Sequence, residues 1–92
     1  MQDSIEKGQK PMRCNAGYEI IKSIKLPDIE FVLGERQSSL GTQYVTWRCY
    51  DEKDYYFGHY TTSYNAALCD LYERAQDEII YIISTLKENN DE

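Results

Sequence analysis

Few residues of this chain have side chains that could do catalysis or bind a metal. They are one histidine, His59, and three cysteines, Cys14, Cys49 and Cys69. No nucleophile lies beside His59 in the sequence, and the cysteine spacings match no zinc-binding module. The chain also lacks a phosphate-binding glycine loop and a dinucleotide fingerprint. We therefore predict that the protein is not an enzyme and that it uses no metal or cofactor.

A row of carboxylates is the second chemical feature. Asp70, Glu73 and Asp77 are separated by three and four residues, which places them on one side of a helix. Arg74 can pair with Asp70, so Glu73 and Asp77 are the less compensated acids. Such a row is typical of a solvated helix face. It also suits a basic protein partner, because carboxylates at helical spacing can take the place of phosphates in a nucleic-acid channel.

The charge of the chain is unevenly distributed. The formal net charge is −6, and seven of the sixteen acids but only two of the ten bases lie between residues 64 and 92. An acidic surface repels nucleic acid and attracts basic protein patches. We therefore expect a protein partner and no direct binding of DNA or RNA.

An aromatic hairpin precedes the acidic segment. Residues 44–60 read YVTWRCYDEKDYYFGHY, with aromatic runs on either side of a polar turn. Alternation along a strand places Val45, Trp47 and Cys49 on one face. We assign that face, together with Tyr56 and Tyr60, to the core beneath the helix.

The opposite face of the hairpin is the aromatic candidate surface. It carries Tyr44, Arg48, Tyr50, Tyr55, Phe57 and His59. Tyr and Arg are favoured anchors in protein interfaces. Aromatic pairs also occur across strands simply because they stabilise a sheet. The residues alone leave both interpretations open.

The remaining pattern predicts the elements that must position these residues. Loose alternation of apolar residues predicts strands at 17–26, 29–33, 42–50 and 55–61. A polar connection bounded by glycines is expected at 34–41. The fold class is therefore α+β, a four-stranded antiparallel meander followed by one long C-terminal helix packed on one sheet face. We expect a flexible arm at 1–15, a single domain at 16–88 and a disordered tail at 89–92.

The helix is predicted after Ser63, which stands where an N-cap residue is expected. No Gly or Pro interrupts the next 26 residues. The apolar stripe expected to face the sheet consists of Leu68, Tyr72, Ala75, Ile79, Ile82 and Leu86. A helix of about 25 residues is about 37 Å long, whereas a strand of about seven residues spans about 23 Å. The helix should therefore extend beyond the sheet.

The far end of the helix is apolar almost all round. Ile80, Tyr81 and Ile83 could form a seam between two helices, which would make the protein a homodimeric accessory or structural protein. The absence of a signal-peptide pattern and the odd cysteine count favour a cytoplasmic location.

Several strings of this sequence resemble a known group of proteins. They are GYEII at 17–21, EFVLGE at 30–35, YVTW at 44–47, YYFGHY at 55–60, and the helix with Ala66-Ala67 and Glu73-Arg74-Ala75. Over residues 17–80 the chain resembles small uncharacterised proteins of Firmicutes plasmids, phages and conjugative elements. The resemblance implies a counter-defence inhibitor, such as an anti-CRISPR or anti-restriction protein.

These observations lead to one main functional hypothesis and two alternatives. The main hypothesis is a non-enzymatic inhibitor that binds a basic nucleic-acid-handling surface of a type II CRISPR effector nuclease and blocks nucleic-acid loading. The first alternative is the homodimeric accessory protein of a mobile element. The second is a small single-strand nucleic-acid binder that uses the aromatic sheet face as a stacking platform.

Overall fold

The computed structural model describes residues 13–89, in which five strands are followed by one helix. The elements are β1 (Cys14–Asn15), β2 (Tyr18–Lys25), β3 (Glu30–Ser38), β4 (Gly41–Tyr50), β5 (Asp54–Thr61) and α1 (Tyr64–Asn89). Neighbouring strands pair antiparallel in the order β1-β2-β3-β4-β5. The predicted α+β class and C-terminal helix are confirmed. The predicted strand count is wrong by one, because β1 pairs with the start of β2.

The chain ends fall partly outside this range. Residues 1–12 of the predicted arm and residues 90–92 of the predicted tail lie outside the described residues. Arg13, Cys14 and Asn15, which the prediction assigned to the arm, contact the sheet. Asn89, assigned to the tail, is the last residue of α1.

The hairpin of β3 and β4 is longer than expected. Pairing runs without interruption from Glu30 opposite Cys49 to Ser38 opposite Gly41, so the predicted polar connection is part of the sheet. The Ser38 hydroxyl accepts a hydrogen bond from the Leu40 amide and donates one to the Gly41 carbonyl. Gly41 has a φ of 119°, a conformation that favours glycine, and this allows the tight turn.

The helix covers the face of the sheet that carries Phe31 and Leu33. These side chains pack against Ala67, Leu71 and Ala75 of α1. The two small alanines let the helix approach the sheet closely. The predicted face was wrong, since Val45, Trp47 and Cys49 point away from the helix. Both faces of this hairpin are apolar, so alternation separates the faces without showing which one the helix covers.

A second core lies on the face away from the helix. Tyr18, Val32, Val45, Trp47 and Cys49 are buried there together. The sheet curls so that aromatic rings surround the indole, with ring centres 5.7 Å (Tyr18), 5.4 Å (Tyr55) and 6.5 Å (Tyr60) from that of Trp47. Trp47 is only 4% exposed as a result. The rings close this core without a second helix.

A β-bulge in β5 determines which aromatic residues lie on each face. Arg48 is opposite Tyr56 and Thr46 is opposite His59, so two residues of β5 stand opposite Trp47 alone. The extra residue reverses the alternation. Tyr55 therefore lies on the Trp47 face, and Tyr56 lies on the helix face. This corrects the predicted grouping of both residues. Tyr60 shares a face with Trp47, and His59 shares a face with Arg48, as predicted. The helix, however, covers the face of His59, and Tyr60 is 62% exposed on the other face.

The helix begins as predicted and extends beyond the sheet. The Ala66 amide donates to the Ser63 side-chain oxygen at 3.1 Å, which confirms Ser63 as the N-cap. The buried helix residues are Ala67, Leu71 and Ala75. Around the helix axis, the stripe in contact with the sheet is thus offset by about one residue position from the predicted stripe. Tyr72, Ile79 and Leu86 of the predicted stripe are exposed. Beyond Ala75 no described residue of α1 is buried.

Substitution of Gly58 tests the packing at the bulge. A Cβ atom at this position would lie 2.8 Å from Trp47 Nε1 and 2.8 Å from the Tyr60 ring. We expect Gly58→Ala to lower the free energy of unfolding by about 1–3 kcal/mol, because overpacking displaces the indole. Urea unfolding followed by Trp47 fluorescence measures this change. Gly41→Ala serves for comparison, since a Cβ atom there would meet nothing within 4 Å and only the positive φ opposes the change. An unfolding free energy and emission maximum unchanged in Gly58→Ala would contradict this packing.

Candidate binding surface

Asp70 joins the helix to the sheet. Its carboxylate accepts a hydrogen bond from the Thr46 hydroxyl and lies 2.9 Å from His59 Nδ1. Burial acts to raise the pKa of Asp70, but the hydrogen bonds from Thr46 and His59 and the nearby positive charge of Arg74 outweigh it and lower that pKa below its ordinary value. Asp70 therefore has an internal structural role, although its spacing grouped it with the free acids.

Arg74 donates hydrogen bonds to Thr46, a buried polar residue beneath the helix. It donates to the Thr46 carbonyl at 3.1 Å and to the Thr46 hydroxyl at 2.9 Å. Thr46 is only 1% exposed, so an unsatisfied hydroxyl there would be costly. Arg74 Nη1 also lies 4.0 Å from Asp70 Oδ2. Burial lowers the pKa of Arg74. The predicted pairing of Arg74 with Asp70 is part of this wider network.

Arg48 also has contacts with both the sheet and the helix. Its guanidinium is 5.8 Å from the centre of the Phe31 ring and 3.7 Å from Glu78 Oε1. Together with Arg74 and Asp77, these residues line a small cleft where the helix meets the sheet. Arg48 thus lines this cleft. Its contacts with Phe31 and Glu78 make it less available to a binding partner than the sequence indicated.

Glu73 and Asp77 remain directed toward solvent. Both are exposed, and within residues 13–89 neither has a hydrogen bond or ion pair. They share a side of α1 with Asp70, and we call these three residues the acidic flank. Because Asp70 contacts His59 of β5, the acidic flank lies on the β5 side of the helix.

Exposed aromatic side chains lie beside the acidic flank. We call them the aromatic shelf, which consists of Tyr50, Tyr56, Phe57 and His59. The ring centres of Tyr50 and Tyr56 are 5.9 Å apart, and those of Tyr56 and Phe57 are 6.4 Å apart. All four side chains are exposed, and Phe57 is exposed to 70%. Tyr50, Tyr56 and Phe57 therefore form a continuous aromatic surface, and His59 lies on the same edge strand, β5.

Two of the predicted surface residues lie elsewhere. Tyr44 is half-buried against the helix-side core, with its ring centre 5.5 Å from that of Tyr64. Tyr55 packs against Trp47 on the other face, where its hydroxyl accepts a hydrogen bond from Arg13. Tyr56, which sequence analysis assigned to the core, takes the place of Tyr55. The bulge explains this exchange, and the sequence signal for it is Gly58 within an aromatic strand.

A partly buried ion pair on the second face was missed by sequence analysis. Arg13 donates two hydrogen bonds to the Glu30 carboxylate, at 2.9 Å and 3.3 Å, and Ser23 donates a third. Glu30 is only 4% exposed. Burial acts to raise the pKa of Glu30, but the hydrogen bonds and the charge of Arg13 lower it overall. The sequence signal for this pair was Glu30 inside the apolar run at 29–33, because a buried carboxylate needs a partner.

The cysteines show no arrangement for chemistry in the described chain. All three are free thiols; Cys14 and Cys69 are exposed and Cys49 is buried, which raises the pKa of its thiol. Between residues 13 and 89, no group of three His, Cys, Asp or Glu side chains is placed to hold a metal ion. In the same range, no helix combines the length and the apolar character needed to cross a membrane.

Comparison with known protein families, curated protein sequences and solved structures returns no match. The resemblance to proteins of Firmicutes mobile elements stays a prediction.

Substitution of Asp70 tests its structural role. Since the pKa of Asp70 is lowered on folding, its stabilisation is present above its unfolded-state pKa, near 4, and is lost as the pH falls through the folded-state value. We expect Asp70→Asn to reduce the free energy of unfolding by about 1–2 kcal/mol at pH 7. The difference from the native chain should shrink toward pH 3. Urea titrations at both pH values measure it, with Glu73→Gln as the unpaired control. An equal loss in both variants would contradict this role.

Phe57 allows a test of whether its ring serves stability. Phe57 has a φ of 55°, a strained conformation for a residue with a Cβ atom. Its ring is mostly exposed, so Phe57→Gly should leave the free energy of unfolding unchanged or raise it by up to about 1 kcal/mol. Phe57→Ala, which keeps the strain and removes the ring, is the matched control. A loss of more than about 1 kcal/mol in both variants would show that the ring is needed for packing.

Proposed function

We propose that this protein is a non-enzymatic inhibitor that binds a basic nucleic-acid-handling surface of a bacterial defence nuclease. The observation that carries the proposal is the contact between Asp70 and His59, because it brings the acidic flank and the aromatic shelf to the same side of the molecule. Uncompensated carboxylates next to exposed aromatic rings form a surface that suits Arg and Lys side chains.

The chemistry of this surface supports a basic protein partner. Carboxylates form charge-assisted hydrogen bonds with guanidinium groups, and the faces of tyrosine rings attract cations. Glu73 and Asp77 provide the free carboxylates, whereas Tyr50 and Tyr56 provide the ring faces. The net charge of −6 opposes binding of nucleic acid itself, since phosphate binding relies on excess Lys and Arg.

The structural cost of these side chains is a second argument for a partner. Glu73 and Asp77 are like charges four residues apart, an arrangement that costs a helix a few tenths of a kcal/mol. Phe57 adds a strained backbone and an exposed ring. The bulge accounts for the strained backbone, but neither the carboxylate pair nor the exposed Phe57 ring contributes to the cores, so a binding role gives both of them a reason.

The proposed target is a type II CRISPR effector nuclease, and the proposed effect is a block of nucleic-acid loading. Nucleic-acid channels of such enzymes are positively charged and recognise the backbone of their guide–target duplex. An acidic protein that occupies the channel competes with that backbone. This choice of target rests on the resemblance to proteins of mobile elements.

A pull-down of the nuclease with the tagged full-length chain tests the proposal. We expect binding to the guide-free nuclease, weaker binding after guide RNA is loaded, and further loss at high salt because surface charges are screened. Asp77→Lys and Tyr56→Ala should each weaken binding by about tenfold or more, as expected for central interface residues. Asp28→Lys is the matched control, because Asp28 is an exposed acid in the turn before β3.

Three results would contradict the proposal. One is absence of binding in both guide states. Another is equal weakening by Asp77→Lys and Asp28→Lys, which would indicate an effect of net charge alone. The third is binding of single-stranded oligonucleotides at moderate salt that is lost in Tyr56→Ala, which would favour the nucleic-acid-binding alternative.

A further inference from the structure

A second apolar stripe runs along α1 from Tyr72 into the part of the helix that extends beyond the sheet. Tyr72, Ile79, Ile83 and Leu86 are between 40% and 58% exposed. With Gln76 they follow one another in steps of four, three, four and three residues. That spacing is typical of a seam between two helices in a coiled coil. We call these four apolar residues the apolar flank.

The apolar flank is accessible to another helix. At roughly 100° per residue, it is centred about a quarter turn away from the buried residues Ala67, Leu71 and Ala75. Asp70 and Asp77 lie on the opposite side of α1. A helix that packs on the apolar flank therefore meets neither the sheet beneath α1 nor Asp70 and Asp77, whereas Glu73 lies at the border between the two flanks.

We propose that the apolar flank binds the same flank of a second copy of this chain in an antiparallel pair of helices. The charged residues next to the seam favour this occupant. In an antiparallel pair centred on Ile80, Glu73 of each copy lies opposite Lys87 of the other. Two equivalent ion pairs then border the seam, and Ile80 meets Ile80 between them.

The antiparallel direction follows from the same residues. A parallel pair would place the two Glu73 side chains beside each other and the two Lys87 side chains beside each other. Repulsion between like charges is unfavourable at both positions. The sheets also favour the antiparallel pair. Each sheet packs on the first half of its helix, as Ala67, Leu71 and Ala75 show, so pairing around residue 80 places the two sheets at opposite ends.

This seam differs from the one that the sequence suggested. Ile83 belongs to both and Ile80 borders the proposed seam, but helical periodicity places Tyr81 on the side of Asp77. Tyr81 is therefore outside the proposed seam, although it is exposed to 65%. Self-association is compatible with the proposed inhibitor function, because Asp70, Asp77 and the aromatic shelf stay uncovered in the pair. Of the acidic flank, Glu73 alone pairs with Lys87 of the second copy.

Sedimentation equilibrium of the full-length chain over a range of concentrations tests the proposal. We expect a reversible dimer whose dissociation constant rises by about tenfold or more in Ile83→Lys, because the substitution places a charge in the apolar seam. Tyr81→Lys, an equally drastic change on the other side of the helix, should leave the dissociation constant within about twofold. Trp47 fluorescence verifies that both variants keep the fold.

Charge exchange tests the direction of the helices. Glu73→Lys and Lys87→Glu alone should each weaken the dimer, since each places like charges opposite one another. The double variant restores both ion pairs and should return the dissociation constant to within about twofold of the native value. A chain that stays monomeric at the highest concentration, a dimer broken by Tyr81→Lys but kept by Ile83→Lys, or a double variant weaker than both single variants would overturn the proposal.

Discussion

One constraint governs this architecture: the central strand β3 is apolar on both faces, and a single helix can cover only one of them. Phe31 and Leu33 are covered by α1, whereas Val32 lies on the other side of the same strand. Each buried side chain of this size contributes about 1.5–3 kcal/mol. The second face must therefore be closed as well, which requires the curl of the sheet and the ring of aromatic residues around Trp47. Because the two cores share strands, damage to either one affects the other.

The bulge in β5 helps to close the second core and also determines which aromatic side chains are exposed. Gly58 leaves space for the Trp47 indole, which a Cβ atom would occupy. The extra residue turns Tyr55 inward to the second core and Tyr56 outward beside the helix. Phe57 takes the strained φ that such an irregularity requires. The local geometry that closes the core is thus the same geometry that exposes the aromatic shelf, so packing and surface chemistry are coupled at three consecutive positions.

How much the sequence could predict depended on whether the signal was local. The N-cap at Ser63, the uninterrupted helix and the hairpin of β4 and β5 are set by neighbouring residues, and all were predicted. The side of the sheet that the helix covers was not, because two apolar faces give the same alternation. The bulge then reversed the assignment of Tyr55 and Tyr56. A single extra residue has this effect, since strand periodicity is two.

Contacts between distant residues explain the errors in the candidate site. The spacing of Asp70, Glu73 and Asp77 correctly placed them together, but the partners of Asp70 come from residues 24 and 11 positions earlier. No local pattern shows that Thr46 and His59 would occupy that carboxylate. The Arg13–Glu30 pair is also long-range, across 17 positions. A charge inside an apolar strand indicates that a partner exists, and only the fold shows which residue it is.

The two sides of α1 have separate chemistry, and this separation decides what the helix can do. On the β5 side Asp70 fixes the helix in place, which leaves Glu73 and Asp77 free at little cost to stability. On the other side the apolar flank carries almost no charge. In an antiparallel pair of chains, Glu73 of each copy would pair with Lys87 of the other, and Asp70 and Asp77 of the two acidic flanks would face outward at opposite ends of one particle. Two linked surfaces bind more tightly than one only where the target offers two basic sites within reach of both. The spacing of the two flanks would then select among targets in addition to their charge.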